Sequence, residues 1–246
     1  WARTYQILAI IMLVCTVPIV FFFMKENPQK LGLRPYGEKE ESFSVKKGIA
    51  FKEALSMPYF WFLGLISFST AVCLHIVMIS VAPHLTEIGY DFTFAANILA
   101  LVMGGIAIGK LVLGYLFDRF SLRVAISLAA FGTLVGLVGL YFGYLFFILP
   151  LMIVGSGVGC AYGTIADPMI SRSVFGEKDY ASIYGVYAAL ASLGGVVAPV
   201  LHGRSYDRTG SYQGILLQAA ILIFGILLVN QWIFSEKTIN KYRNLW

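Results

Sequence analysis

The sequence predicts an all-α, polytopic membrane helix bundle, on three observations. Seven apolar stretches fill most of the 246 residues, at 5–24, 59–83, 94–117, 124–142, 146–170, 180–201 and 213–234. A helix needs about 20 apolar residues to cross the hydrocarbon layer, and each stretch has roughly that length. Composition agrees. Charged residues are 13% of the chain, hydrophobic residues 59%, and mean hydropathy is +0.79, whereas a soluble domain carries about 25% charged residues. Finally, the cations gather in the segments between the apolar stretches, as positive-inside loops do.

The elements follow in order. Stretch 5–24 leads into a polar segment, 25–57, with Pro28, Pro35 and mixed charges, which reads as an inner-face linker. Within it, 43–55 has enough apolar positions for a short helix lying on the membrane surface before Pro58. The six stretches of 58–246 are joined by short loops, so neighbours are expected to pack antiparallel. The division is 1–24, 25–57 and 58–246: one helix, a linker and six helices. Gly105/Gly109, Gly132/Gly136, Gly139/Gly143 and the run Gly155, Gly159, Gly163 recur every four residues. That spacing puts small residues on one helix face, where backbones approach closely. Pro18, Pro83, Pro150, Pro168 and Pro199 lie in or at the ends of spans, where they would kink helices or end them.

Sidedness follows from the cations. With the linker inside, 14 of the 18 Lys and Arg are inner, Arg3, Arg204 and Arg208 are outer, and Lys110 lies within a span. That asymmetry places the C-terminus in the cytoplasm of a multi-pass protein of the cell (inner) membrane. The net charge of +5 is spread over loops, and no Lys/Arg run is long enough to serve nucleic acid. Cys15, Cys73 and Cys160 all fall in apolar stretches without metal-ligand spacing, and read as core residues. Gly155-Ser-Gly-Val-Gly lacks the strand–turn–helix context of a nucleotide loop. The chain begins at Trp1 without a signal leader and reads as a piece of something larger.

Gly114-Tyr-Leu-Phe-Asp118-Arg119-Phe-Ser-Leu-Arg123 resembles the inner-loop signature of the major facilitator superfamily. Ser121 stands where the family prefers Gly, and Leu122 where it prefers a base. A second Gly-x-x-x-Asp-Arg string, Gly203 to Arg208, ends the sixth helix on the outer side as the first ends the third on the inner side, the pattern of inverted three-helix repeats. Three stretches, 28–35, 51–61 and 206–212, are similar to the oxalate/formate antiporter and monocarboxylate transporter branch. The resemblance covers essentially the whole chain. It implies helices six to twelve of that fold: the six-helix C-terminal half preceded by one extra transmembrane helix. It further implies a secondary carrier, antiporter or symporter, for a small organic anion. Its partners would be that anion, the lipid bilayer, and the missing N-terminal helices from the same gene or a split partner. The alternatives are a truncated or split half without independent activity, and an intramembrane enzyme. Catalytic material is thin: His75, His84 and Asp167 are all there is, with no His-Glu-x-x-His or Gly-x-Ser-x-Gly. No enzyme activity, cofactor or metal is expected.

Among the site candidates Lys110 is the most informative. A charge at membrane depth costs about 2.5–3.5 kcal/mol on insertion scales and marks a functional site by default. The alternative is a lysine snorkelling to the inner headgroups. The resemblance implies a substrate-binding cation eight residues before Asp118, usually Arg; Lys110 stands there as a point charge without Arg's fork. No lysine occurs in 184–191, which weakens a dicarboxylate substrate and leaves a monocarboxylate, another monoanion or a proton-coupled neutral solute. His75, near Ser67, Ser69 and Thr70, is a proton relay or substrate contact, or else bonds a neighbouring helix. Tyr162 and Tyr187 line a pathway or pack as aromatics. Gly114, Asp118, Arg119 and Arg123 are the gating candidates, with Asp118 paired to Arg123 or to a helix N-terminus. Asp167 couples to a cation, or touches Arg172, or terminates its helix before Pro168. His84 and His202 are read as solvated at the outer surface.

Overall fold

The computed structural model describes residues 47–235, together with 6–7, 10–11, 13–18 and 238. Two compact units divide the chain, 1–45 and 46–246. In the first, residues 13–18 are helical; the linker from 25 to 46 and the cations of 237–243 lie outside the described residues.

The second unit holds a short helix α1 (Phe51–Ser56) and then α2 (Pro58–Glu87), α3 (Phe92–Arg119), α4 (Leu122–Tyr141), α5 (Leu149–Phe175), α6 (Tyr180–Thr209) and α7 (Gln213–Ile233). Among the described residues, six helices are long and apolar enough to cross a membrane. The expected surface helix begins at Phe51, eight residues later than the apolar pattern suggested. Starts and stops obey local chemistry. Pro58 and Pro150 occupy the first turns of α2 and α5, where a missing amide costs nothing. Asp91 caps α3 by accepting from the amides of Thr93 (2.8 Å) and Phe94 (3.4 Å), and these bonds hold its carboxyl below the ordinary carboxylate range. Gly176 closes α5 at φ 80°, where a Cβ would meet Gly48 Cα at 2.5 Å. Pro83, Pro168 and Pro199 do not end their helices; α2, α5 and α6 run through them.

Hydropathy alone cannot hold apolar helices together in lipid, so close backbone contact has to. Helix α5 supplies it on two faces. Toward α3, a Cβ on Gly109 would lie 2.5 Å from the carbonyl oxygen of Gly157, and one on Gly157 2.8 Å from Gly105. Toward α4, a Cβ on Gly155 would lie 2.8 Å from the amide of Gly136, and one on Gly132 3.0 Å from the amide of Gly159. The four-residue spacing therefore marks real seams at Gly105/Gly109, Gly132/Gly136 and Gly155/Gly159, with Gly157 as an unanticipated member; Gly163 instead faces Leu74, and Gly143 lies in the turn after α4. Elsewhere α2 packs on α6, and α7 packs on α4 and α2.

The two ends of the bundle are tied differently. At the basic end, Ile49 N–H donates to Phe175 O (2.8 Å) and Glu177 N–H to Lys47 O (2.8 Å), while Phe51 N–H donates to Asp179 Oδ2 (2.8 Å). At the other end, Tyr90 Oη donates to Gly143 O (3.1 Å). The two Gly-x-x-x-Asp-Arg strings close α3 and α6 at opposite ends.

Replacing Gly109 by Val should destabilise the detergent-solubilised chain by at least about 1–3 kcal/mol, the cost of overpacking a rigid contact. Gly104, with nothing within 4 Å of a built Cβ, should accept Ala without loss of thermal stability.

Candidate functional site

Lys110 sits nine residues before the end of α3, about 13 Å from the basic end at 1.5 Å per residue. Its side chain is exposed, as are Met103, Gly104, Ala107 and Leu111 around it. Among the described residues, no hydrogen bond or ion pair engages its ammonium. Helix α3 buries Ala95, Ile98, Val102, Gly109 and Leu113 against its neighbours and leaves the remainder of its surface outward. A lone cation on such a face is available to an anion.

His75 of α2 is also exposed. Its Nδ1–H donates to Ala71 O at 2.8 Å, one turn back on its own helix, rather than to a neighbour. This leaves Nε2 as the acceptor, beside Gly195 of α6, where a Cβ would lie 2.9 Å away. A side chain there would displace the imidazole, the movable end of His75.

The buried polar groups collect elsewhere. Asp167 of α5 is 5% exposed and accepts from Ser67 Oγ of α2 at 2.7 Å. Ser67 lies nine residues into α2 and Asp167 eight residues before the end of α5, so both lie about 12–14 Å from the basic end, at the depth of Lys110. One turn deeper, the Tyr162 hydroxyl approaches Thr70 Oγ1 without completing a hydrogen bond, and both atoms are buried. The expected Asp167–Arg172 contact is absent: Arg172 binds Glu177 through Nε (2.8 Å) and Nη2 (2.5 Å) at the surface, and α5 continues to Phe175. Tyr187 donates to Phe60 O at 3.2 Å and stacks on the Phe60 ring at 5.0 Å. At 1% exposure it packs the core rather than lining an open path.

The signature residues lie at the basic end. Arg119 stands over the Tyr115 ring at 5.8 Å. Arg123 does not pair with Asp118; its Nε donates to Gln231 Oε1 of α7 at 3.0 Å. Asp118 is exposed, and a Cβ on Gly114 would meet nothing within 4 Å.

Two histidines correct the reading of the far end. His84 is 0% and His202 9% exposed, so neither is solvated. His84 Nδ1 lies 3.2 Å from Glu87 Oε2, which also accepts from Tyr212 N–H at 3.1 Å. His202 stacks on Tyr212 at 4.3 Å. This linkage of α2, α6 and α7 was hidden because α2 lies more than 90 residues from the other two. Of the three cysteines, Cys73 is buried, Cys160 half-buried and Cys15 exposed. Among the described residues, no group of three or more His, Cys, Asp or Glu is placed to hold a metal ion.

Comparison with known proteins follows the same lines. Residues 1–199 and 76–244 match the family model of the Major Facilitator Superfamily. The chain is 29% identical over 155 residues to human Monocarboxylate transporter 11, covering 59% of this chain and 33% of that protein. Its fold is similar to that of a single-residue variant of the E. coli fucose:proton symporter FucP, with TM-score 0.62 and 18% identity, over 76% of this chain and 46% of the other. The chain thus spans about a third and about half of these two.

Ser67→Ala should cost about 1–3 kcal/mol, because it strips a buried carboxyl of its donor. Ser69→Ala, a half-buried hydroxyl near the same site, should leave the thermal midpoint unchanged.

Proposed function

Since the chain belongs to the Major Facilitator Superfamily, we propose that it carries helices six to twelve of a secondary active transporter for a small organic anion, with a monocarboxylate as its substrate. The observation that carries the reading is Lys110: a cation at membrane depth, exposed on α3 and without an ion-pair partner among the described residues. An unneutralised charge there is costly, and an anion offsets that cost. The human relative's name supports a monocarboxylate.

In this proposal two six-helix halves rock about a site near the midplane, exposing it to each side in turn. Residues 1–24 are the last helix of the first half, 25–57 the cytoplasmic linker, and 58–246 the second half. Lys110 binds the carboxylate through Nζ. His75, with Nε2 left as an acceptor, takes a donor group of the substrate other than its carboxylate, while Tyr162, at 3% exposure, packs beside Thr70. Asp167, held by Ser67 and without a cationic partner among the described residues, takes up and releases the coupling proton as the site opens to either side. Gly114, Asp118, Arg119 and Arg123 stabilise the inward-closed state, and the cation-rich end faces the cytoplasm.

Lys110→Ala in the complete carrier should abolish uptake of labelled monocarboxylates while membrane insertion persists, and Lys110→Arg should retain part of it. Unchanged uptake in the alanine variant contradicts the anchoring role.

A further inference from the structure

The first turns of α4 and the last turns of α7 line an open groove of 830 Å³. Its polar end contains Arg123, Ser121, Ser127, Gln231 and Ser235. Its other wall is apolar, built from Leu128, Phe131 and Leu227. The polar end is not a loose collection of side chains. Arg123 Nε donates to Gln231 Oε1 at 3.0 Å, and Gln231 Nε2 donates to Ser127 Oγ at 2.7 Å. This chain of bonds fixes the guanidinium in place while using only one of its nitrogens. The two Nη groups make no hydrogen bond or ion pair with a described residue. A guanidinium held in that way offers its fork to a phosphate.

Depth along the helix identifies the ligand. Arg123 is the second residue of α4, at the membrane surface, and Phe131 lies eight residues further in, about 12 Å deeper. Phe131 and Leu128 are 52% and 41% exposed, so an apolar track runs from the cation into the hydrocarbon layer. A free phosphate would fill the polar end and leave that track bare; a neutral lipid would cover the track and leave the fork empty. The residues after Ser235 begin with Glu236 but go on to Lys237, Lys241 and Arg243, so the tail is net basic and a poor partner for Arg123. We propose that this groove binds one phospholipid with an anionic headgroup, its phosphate on Arg123 and the serines and one acyl chain along Leu128, Phe131 and Leu227. Basic pockets between helices at that depth are suited to such headgroups. The inference needs only the membrane placement of the chain and stands apart from its substrate.

Native mass spectrometry of the detergent-purified full chain tests it, with phosphatidylglycerol and phosphatidylcholine of identical acyl chains as probes. The first phosphatidylglycerol should bind about tenfold tighter than phosphatidylcholine. Arg123→Gln should erase that preference, while Arg119→Gln, at the same end of the bundle, should keep it. Soluble glycerol 3-phosphate should not displace the lipid. An unchanged lipid ratio in Arg123→Gln, or displacement by glycerol 3-phosphate, overturns the proposal. Should Arg123→Gln fail to fold, thermal unfolding of the unmodified chain decides: a rise in midpoint with phosphatidylglycerol beyond that with phosphatidylcholine supports the site, and equal rises refute it.

Discussion

Everything in this bundle depends on how near α5 can come to α3 and α4. Lipid tails are as apolar as leucine, so burial of leucine gives no net drive between helices in the membrane. Contact must come from backbone approach, and glycines 105, 109, 132, 136, 155, 157 and 159 permit it. With α5 wedged on two faces, α3 is secured by a narrow strip and keeps the rest of its surface outward. That surplus surface carries Lys110. Packing thus explains why a cation can remain unpaired among the described residues: the helix that bears it is held from behind.

The polar groups divide by depth. A layer about 12–14 Å from the basic end holds Lys110, Ser67 and Asp167. Hydrogen bonds at both ends fix that layer. The segment at Lys47–Ile49 pairs with the start of the α5–α6 connection at the basic end, and the His84–Glu87–Tyr212 linkage joins α2 to α7 at the other. Between those ends Ser67 and Asp167 are buried and Lys110 is exposed.

Much of this was legible in the sequence, for a physical reason. Span length, glycine spacing and cation placement are local patterns, and they located all six helices of the second unit and both seams of α5. The signature from Gly114 to Arg123 pointed to the family. Long-range pairings were not legible. Ser67 reaches Asp167 across 100 residues, Arg123 reaches Gln231 across 108, and Glu87 reaches Tyr212 across 125. The same blindness made His84 and His202 look solvated, since a histidine near a helix end gives no local sign that another helix covers it. Tyr187 read as a pathway candidate for a similar reason: only the fold reveals that its hydroxyl is spent on Phe60.

The central claim is that Lys110 faces water and substrate rather than lipid. Single-cysteine labelling tests it most directly. In a chain whose native cysteines are replaced, Lys110→Cys would be treated in membranes, together with the remaining helices of the carrier, with a membrane-impermeant thiol reagent. The account predicts rapid labelling that slows when a small monocarboxylate is added. A thiol at this position that resists the reagent, with or without carboxylate, would place the side chain in the lipid and contradict the account.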